Sequence, residues 1–281
     1  MKKIFQNFKE FCIDIFRLMR KPVVSVLSGN LAFFFLLSAV PIILLIGIAA
    51  NTFSFSIDSF ISFLQQSLPA STSELVIPLF SGRALDINIV FLLICALYLI
   101  SCGTNSIIMV ASNIYNVKGN IYKNLLKSFV ITIILLFLFV FLVIILIVGG
   151  KFLLILSELP NMNIISDNSV KIFNFIKWPV SIVVIYFTLK IIYVLAPNKS
   201  INIKSVNKGS LFTTVLWIIF TAIYSVYSMN ISPYNTYFGS AASIVILMVW
   251  IYFMAYIFVI GMIINAVEEK NNYTDIEKNL N

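Results

Sequence analysis

The chain has 281 residues, 60% hydrophobic and 11% charged, with a mean hydropathy of +1.03. A soluble domain carries about 25% charged residues, so this chain has too few charges to coat a water-exposed surface, and a soluble enzyme or binding module is excluded. In so apolar a chain the net charge of +8 marks a membrane side rather than a nucleic-acid groove, and 10 Gly, 8 Pro and 3 Cys exclude collagen, disorder and a disulfide framework.

The first element is residues 1–22. Ile4, Phe8, Phe11 and Ile15 follow helical spacing, and Lys2, Lys3, Lys9, Arg17, Arg20 and Lys21 supply the polar face. This pattern predicts an amphipathic helix lying on the cytoplasmic membrane surface, with a docking helix for a protein partner as the alternative. Six apolar stretches follow, at about 29–50, 88–114, 125–149, 173–196, 209–230 and 240–267. Each is near or above the ~20 residues that cross a bilayer. Residues 268–281 form a charged tail, and the whole chain, 1–281, reads as a single membrane domain. The predicted class is therefore all-α: a polytopic membrane protein of six transmembrane helices plus the N-terminal interfacial helix. Within the loop at 51–87, Phe53, Ile57, Phe60, Leu64 and Leu68 again keep helical spacing, as an interfacial helix or a lid would.

Basic residues orient the bundle. With the N-terminus inside, 15 of the 19 Lys and Arg fall on inner segments, and only Arg83, Lys151, Lys171 and Lys177 fall outside. The inner side is then near +9 and the outer near −1, which predicts a cytoplasmic-membrane protein with both termini in the cytoplasm.

Little polar chemistry is left inside the membrane. There is no histidine, no acid between Asp86 and Glu158, and none between Asp167 and Glu268. That removes His general bases, His-containing metal sites and intramembrane carboxylates for ion coupling. Cys12, Cys95 and Cys102 read as small hydrophobes, and Lys190 as a snorkelling side chain. No catalytic residue, metal site or cofactor is expected. What remains is neutral: Asn30, Ser38, Ser101, Thr104 and Asn105 are candidates for a polar cavity between helices, or for helix–helix hydrogen bonding. Pro41 is expected to kink the first span, and Gly239, Ser240 and Ser243 to permit close backbone approach at the start of the last. Tyr224, Tyr227, Tyr234 and Tyr237 gather at the outer end, as an aromatic belt or a vestibule lining.

Several of these residues also form a recognisable series. Leu31-Ala32-Phe33-Phe34 through Ser38 and Pro41, then Asn113-Ile114-Tyr115, then Tyr193 to Pro197 with Gly209, and finally Tyr237-Phe238-Gly239-Ser240 through Leu247, Trp250, Tyr252, Gly261 and Asn265-Ala266, run in order along the chain. The series resembles the YihY/BrkB membrane-protein family. Phe33 and Phe34 stand where the family has tyrosines, and Ile263 where it has an acid. The resemblance implies six spans, an inner-membrane location and an envelope-related role. Members have often carried a ribonuclease BN label, which a chain without histidine or an acid cluster does not support.

The leading expectation is a non-enzymatic envelope protein whose partners are membrane lipids rather than nucleic acid, and which moves a lipid or amphiphile across the bilayer. A scaffolding protein, using residues 1–22 and the charged tail to recruit partners, is one alternative. A small-solute channel or carrier is the other.

Overall fold

The computed structural model describes residues 13–20, 24–38, 89–157, 167–229 and 240–280. Among them every regular element is a helix: α1 (Ile13–Met19), α2 (Val24–Ser38), α3 (Ile89–Ile114), α4 (Ile121–Ser157), α5 (Asp167–Leu195), α6 (Asn207–Met229) and α7 (Ser240–Leu280). In hydrocarbon, every backbone N–H and C=O must be satisfied within its own segment, so apolar runs of this length become helices. Five helices, α3 to α7, are long and apolar enough to cross a membrane, and with α1 and α2 taken as one broken span the number is six. The first twelve residues, the second half of the first predicted span with Pro41, the loop at 51–87, and Tyr234, Tyr237 and Gly239 lie outside the described residues.

Two helices outrun their predicted spans. The 37 residues of α4 correspond to ~55 Å, and the 41 of α7 carry the helix through the charged tail to residue 280. The tail around Glu268, Glu269 and Lys270 contains no helix breaker, so nothing stops the helix at the end of the hydrophobic run.

The connections at one end of the bundle are tightly capped. Past α3, Asn116 takes a left-handed φ of 52°, Val117 N–H donates to Ser112 O (2.9 Å) and Asn116 N–H to Asn113 O (3.3 Å). These are the two bonds of a Schellman cap, with Asn where glycine is more usual. Asn120 Oδ1 then accepts the Tyr122 N–H at 3.0 Å and opens α4 as its N-cap. At the end of α5, Lys127 Nζ on α4 donates to Ala196 O (3.1 Å), Pro197 O (2.7 Å) and Asn198 Oδ1 (3.2 Å), so a cation from a neighbouring helix closes the carbonyl end.

Consecutive helices α3 to α7 pack on one another, and α7 returns to touch α3. α2 joins through Asn30 Nδ2, which donates to Ser106 Oγ at 3.2 Å, and through buried Leu31. The tightest joint is between α6 and α7. A Cβ on Gly209 would lie 2.1 Å from Gly261 O, and one on Gly261 would lie 2.0 Å from Thr213 Oγ1 and 2.5 Å from Tyr193 Oη. The two backbones are therefore in contact. Outward faces carry large exposed apolar side chains such as Phe137, Val183, Ile223 and Val245, a surface that suits acyl chains and not water.

Replacing Gly209 by Ala should lower Tm in detergent by several degrees, because overpacking against backbone costs about 2–3 kcal/mol. Gly103→Ala is the control: its Cβ would meet nothing nearer than 3.7 Å, so Tm should hold or rise.

Candidate functional site

A cavity of about 410 Å³ lies between α2, α3, α4, α5 and α6. Its walls are largely Phe35, Ile100, Ile107, Leu135, Leu189 and Trp217. Ser38, Thr104 and Thr188 also reach it, but each hydroxyl is already bonded: to Phe35 O (3.0 Å), to Ser128 O (2.9 Å) and to Val184 O (2.8 Å). The indole N–H of Trp217 donates to Met254 O at 3.0 Å, leaving its ring as wall. Counted along α3 and α6, the lining residues Thr104 and Trp217 stand ten positions from the capped helix ends, a depth of ~15 Å. That is near the middle of a ~30 Å hydrocarbon core.

The five residues expected to gather around a polar cavity divide. Ser38 and Thr104 line this one. Ser101 turns to α4, sharing a 2.9 Å hydrogen bond with Ser128, and Thr104 also shares one of 2.8 Å with Thr132. Asn30 bonds Ser106, as above, and Asn105 Nδ2 points along its own helix to Met109 Sδ at 4.0 Å while its Oδ1 is buried without a partner. Most of the neutral polar series thus joins helices. Ser240 and Ser243 fall in the first turn of α7, and Tyr224, expected in an aromatic belt or a vestibule lining, is buried and stacked on Trp250 at 5.2 Å. Lys190 is half-buried, and Cys95 and Cys102 are free thiols, half-buried on α3.

A second concentration of polar groups was not read from the sequence. Where α6 starts and the last span ends, Asn265 Oδ1 accepts the Gly209 N–H at 2.8 Å, capping a first-turn donor of α6 from across the joint. One turn further along α7, Glu269 is 1% exposed and takes a hydrogen bond from Ser205 Oγ onto Oε2. In the sequence Glu269 belongs to the charged tail at 268–281, and its burial is a finding of the structure. Helix α7 continues past the apolar run, and a 100° step per residue turns Glu269 inward while Glu268 faces Lys208 at 2.8 Å. Among the described residues, Glu269 Oε1, Asn265 Nδ2 and Tyr115 Oη are buried without hydrogen-bond partners. Burial pushes the Tyr115 phenol well above its ordinary range, and the nearby Glu269 charge adds to the shift. Lys199 Nζ sits 5.2 Å over the Tyr115 ring. Tyr193, deep in α5, donates to Phe258 O (2.9 Å) and shares a hydrogen bond with Thr213 (2.8 Å). The signal for this region was the scattered series Tyr193, Gly209, Gly261 and Asn265, which the fold brings to one joint. Ile263, where the resemblance expects an acid, is 1% exposed within the apolar core.

Fold and site define a multi-pass helical membrane protein with an apolar cavity at mid-depth and a polar joint at one end. The family model described as "Virulence factor BrkB" matches residues 15–280, and the chain belongs to that family. It is similar to the ribonuclease-like protein YfkH of Bacillus subtilis (strain 168), 28% identical over 248 residues, covering 86% of this chain and 89% of that protein. It is also similar to a UPF0761 membrane protein of Vibrio atlanticus (strain LGP32), 25% identical over 297 aligned positions, covering 99% of this chain and 88% of the relative. A UPF0761 membrane protein of Idiomarina loihiensis is 28% identical over 118 residues, 42% of each chain. No solved structure matches.

The Lys127 clamp is testable. Lys127→Met should cost about 2 kcal/mol, since the Ala196 and Pro197 carbonyls lose a charged donor, and lower Tm in detergent. Lys123→Met, at an exposed lysine of the same helix, should leave Tm unchanged.

Proposed function

We propose that this chain is a non-enzymatic protein of the cytoplasmic membrane, a single membrane domain that carries the apolar part of a lipid or amphiphile through its bundle. The observation behind this reading is the cavity: about 410 Å³, at mid-bilayer depth, walled by aliphatic and aromatic side chains. Its volume falls within the ~300–1,000 Å³ usual for small-molecule sites. An ion or sugar entering it would lose hydration and find Ser38, Thr104 and Thr188 already bonded. An acyl or isoprenoid chain would lose nothing. The apolar walls therefore favour an amphiphile over a water-soluble solute. The ribonuclease-like name of the Bacillus relative finds no support in a chain without histidine.

The same reading places the capped end of the bundle in the cytoplasm. Lys118, Lys123, Lys199, Lys204 and Lys208 crowd there, the asymmetry that inner loops carry. Both termini are then cytoplasmic.

Two measurements test these statements. Vesicles of phosphatidylcholine and phosphatidylglycerol containing the purified chain should exchange a fluorescent phospholipid between leaflets faster than empty ones. Filling the cavity with Thr188→Phe should slow that exchange about tenfold, or ~1.4 kcal/mol on the barrier. Equal rates with and without protein, for neutral and anionic probes alike, would refute lipid movement. For orientation, Lys118→Cys in a background lacking Cys12, Cys95 and Cys102 should react with an impermeant maleimide only after cells are permeabilised. Labelling of intact cells would reverse the topology.

A further inference from the structure

The acid at the α6–α7 joint has no part in the cavity, yet it is the kind of group a membrane protein rarely buries without use. Glu269 is 1% exposed, and one of its two oxygens has no hydrogen-bond partner among the described residues. Ser205 Oγ–H holds the other. Asn265, one turn away on the same face of α7, is fully buried with its Nδ2 unpartnered, and the Tyr115 hydroxyl is a third buried polar atom without a partner. One acceptor and two donors therefore stand close to the capped end of the bundle, beneath exposed Lys199.

We propose that Glu269 is a proton-exchange site. Its carboxylate takes a proton from a hydronium ion on the free Oε1, forming one O–H bond as the hydronium O–H bond breaks and a water leaves; the reverse step returns the proton to the capped face. No electron transfer is involved. Ser205 keeps Oε2 in both states. Asn265 Nδ2 and the Tyr115 hydroxyl, buried at the same end of the bundle, make no hydrogen bond to Oε1 among the described residues. Asn265, one turn from Glu269 on α7, caps Gly209 through its amide oxygen, so the acid lies one turn from the α6–α7 contact. The titratable and charged groups at this end, among the described residues, include Tyr115 and Lys118 on the α3 connection, Lys123 and Lys127 on α4, Lys199 and Lys204 before α6, Lys208 on α6, and Glu268 and Lys270 on α7. Of these, Lys208 and Glu268 already pair at 2.8 Å. The site stands apart from the cavity reading, since it shares no residue with the cavity wall.

The test is infrared difference spectroscopy, acid minus alkaline pH, on the purified full chain in phosphatidylcholine vesicles. The wild type should show a protonated-carboxyl band that is missing in Glu269→Gln and kept in Glu268→Gln. Ser205→Ala retains the carboxyl but removes the hydroxyl from Oε2, so it should shift the band. Gln can still accept from Ser205, which keeps the fold; if E269Q nevertheless fails to elute as a single species, the S205A shift decides. Identical carboxyl regions in wild type and E269Q, or a band unmoved by S205A, would overturn the assignment.

Discussion

The contact between the backbones of Gly209 and Gly261 sets the terms for the rest of the bundle. Lipid tails are as apolar as leucine, so helices in a bilayer gain little from apolar burial and associate by close packing and hydrogen bonds. Two glycines opposite one another allow that packing at its closest. From this joint the antiparallel helices stay in step: Ser205 meets Glu269, Gly209 meets Asn265, Thr213 crowds Gly261, Phe220 packs on Phe253 and Tyr224 stacks on Trp250. Each advance of one or two turns on the α6 side is matched by a like advance on α7. Tyr193 then ties α5 to the same place through Thr213 and Phe258.

Polar groups follow from the same solvent. A hydroxyl or amide facing hydrocarbon costs free energy unless a partner is found, and most of those described have found one on a neighbouring helix. Ser101, Thr104, Ser128 and Thr132 join α3 to α4, and Lys127 with Asn198 closes α5 onto α4. The consequence for function is indirect. With the hydroxyls engaged, the space left in the middle of the bundle is apolar, and polar chemistry is displaced toward the capped end.

Much of this was legible in the chain itself, for reasons that differ by element. Spans were readable because an apolar run of twenty or more residues has one stable conformation in a bilayer, and the helices fall close to where the runs are. The polar series of α3 was readable as a polar cavity or as helix–helix hydrogen bonding, but its partners were not, since Ser128 and Thr132 lie on another helix. The burial of Glu269 was not legible, because its neighbours Glu268 and Lys270 give the segment the pattern of a charged tail. Only the rotation of α7 separates the exposed acid from the buried one, and the apolar run stops just short of it, hiding the face that continues.

The sequence by itself determined the solvent and the class: 60% hydrophobic residues and 11% charged ones cannot build a water-soluble surface, and six apolar runs build helices. It also carried a charge asymmetry between its segments, because that asymmetry is a property of segments and needs no partner. Tertiary structure alone decided that Gly209 faces Gly261, that the mid-depth cavity is apolar, and that Glu269 lies inside. Each of these depends on which face of one helix meets which face of another. A spacing along one chain sets the faces, but the contact between two helices is fixed only when both are packed.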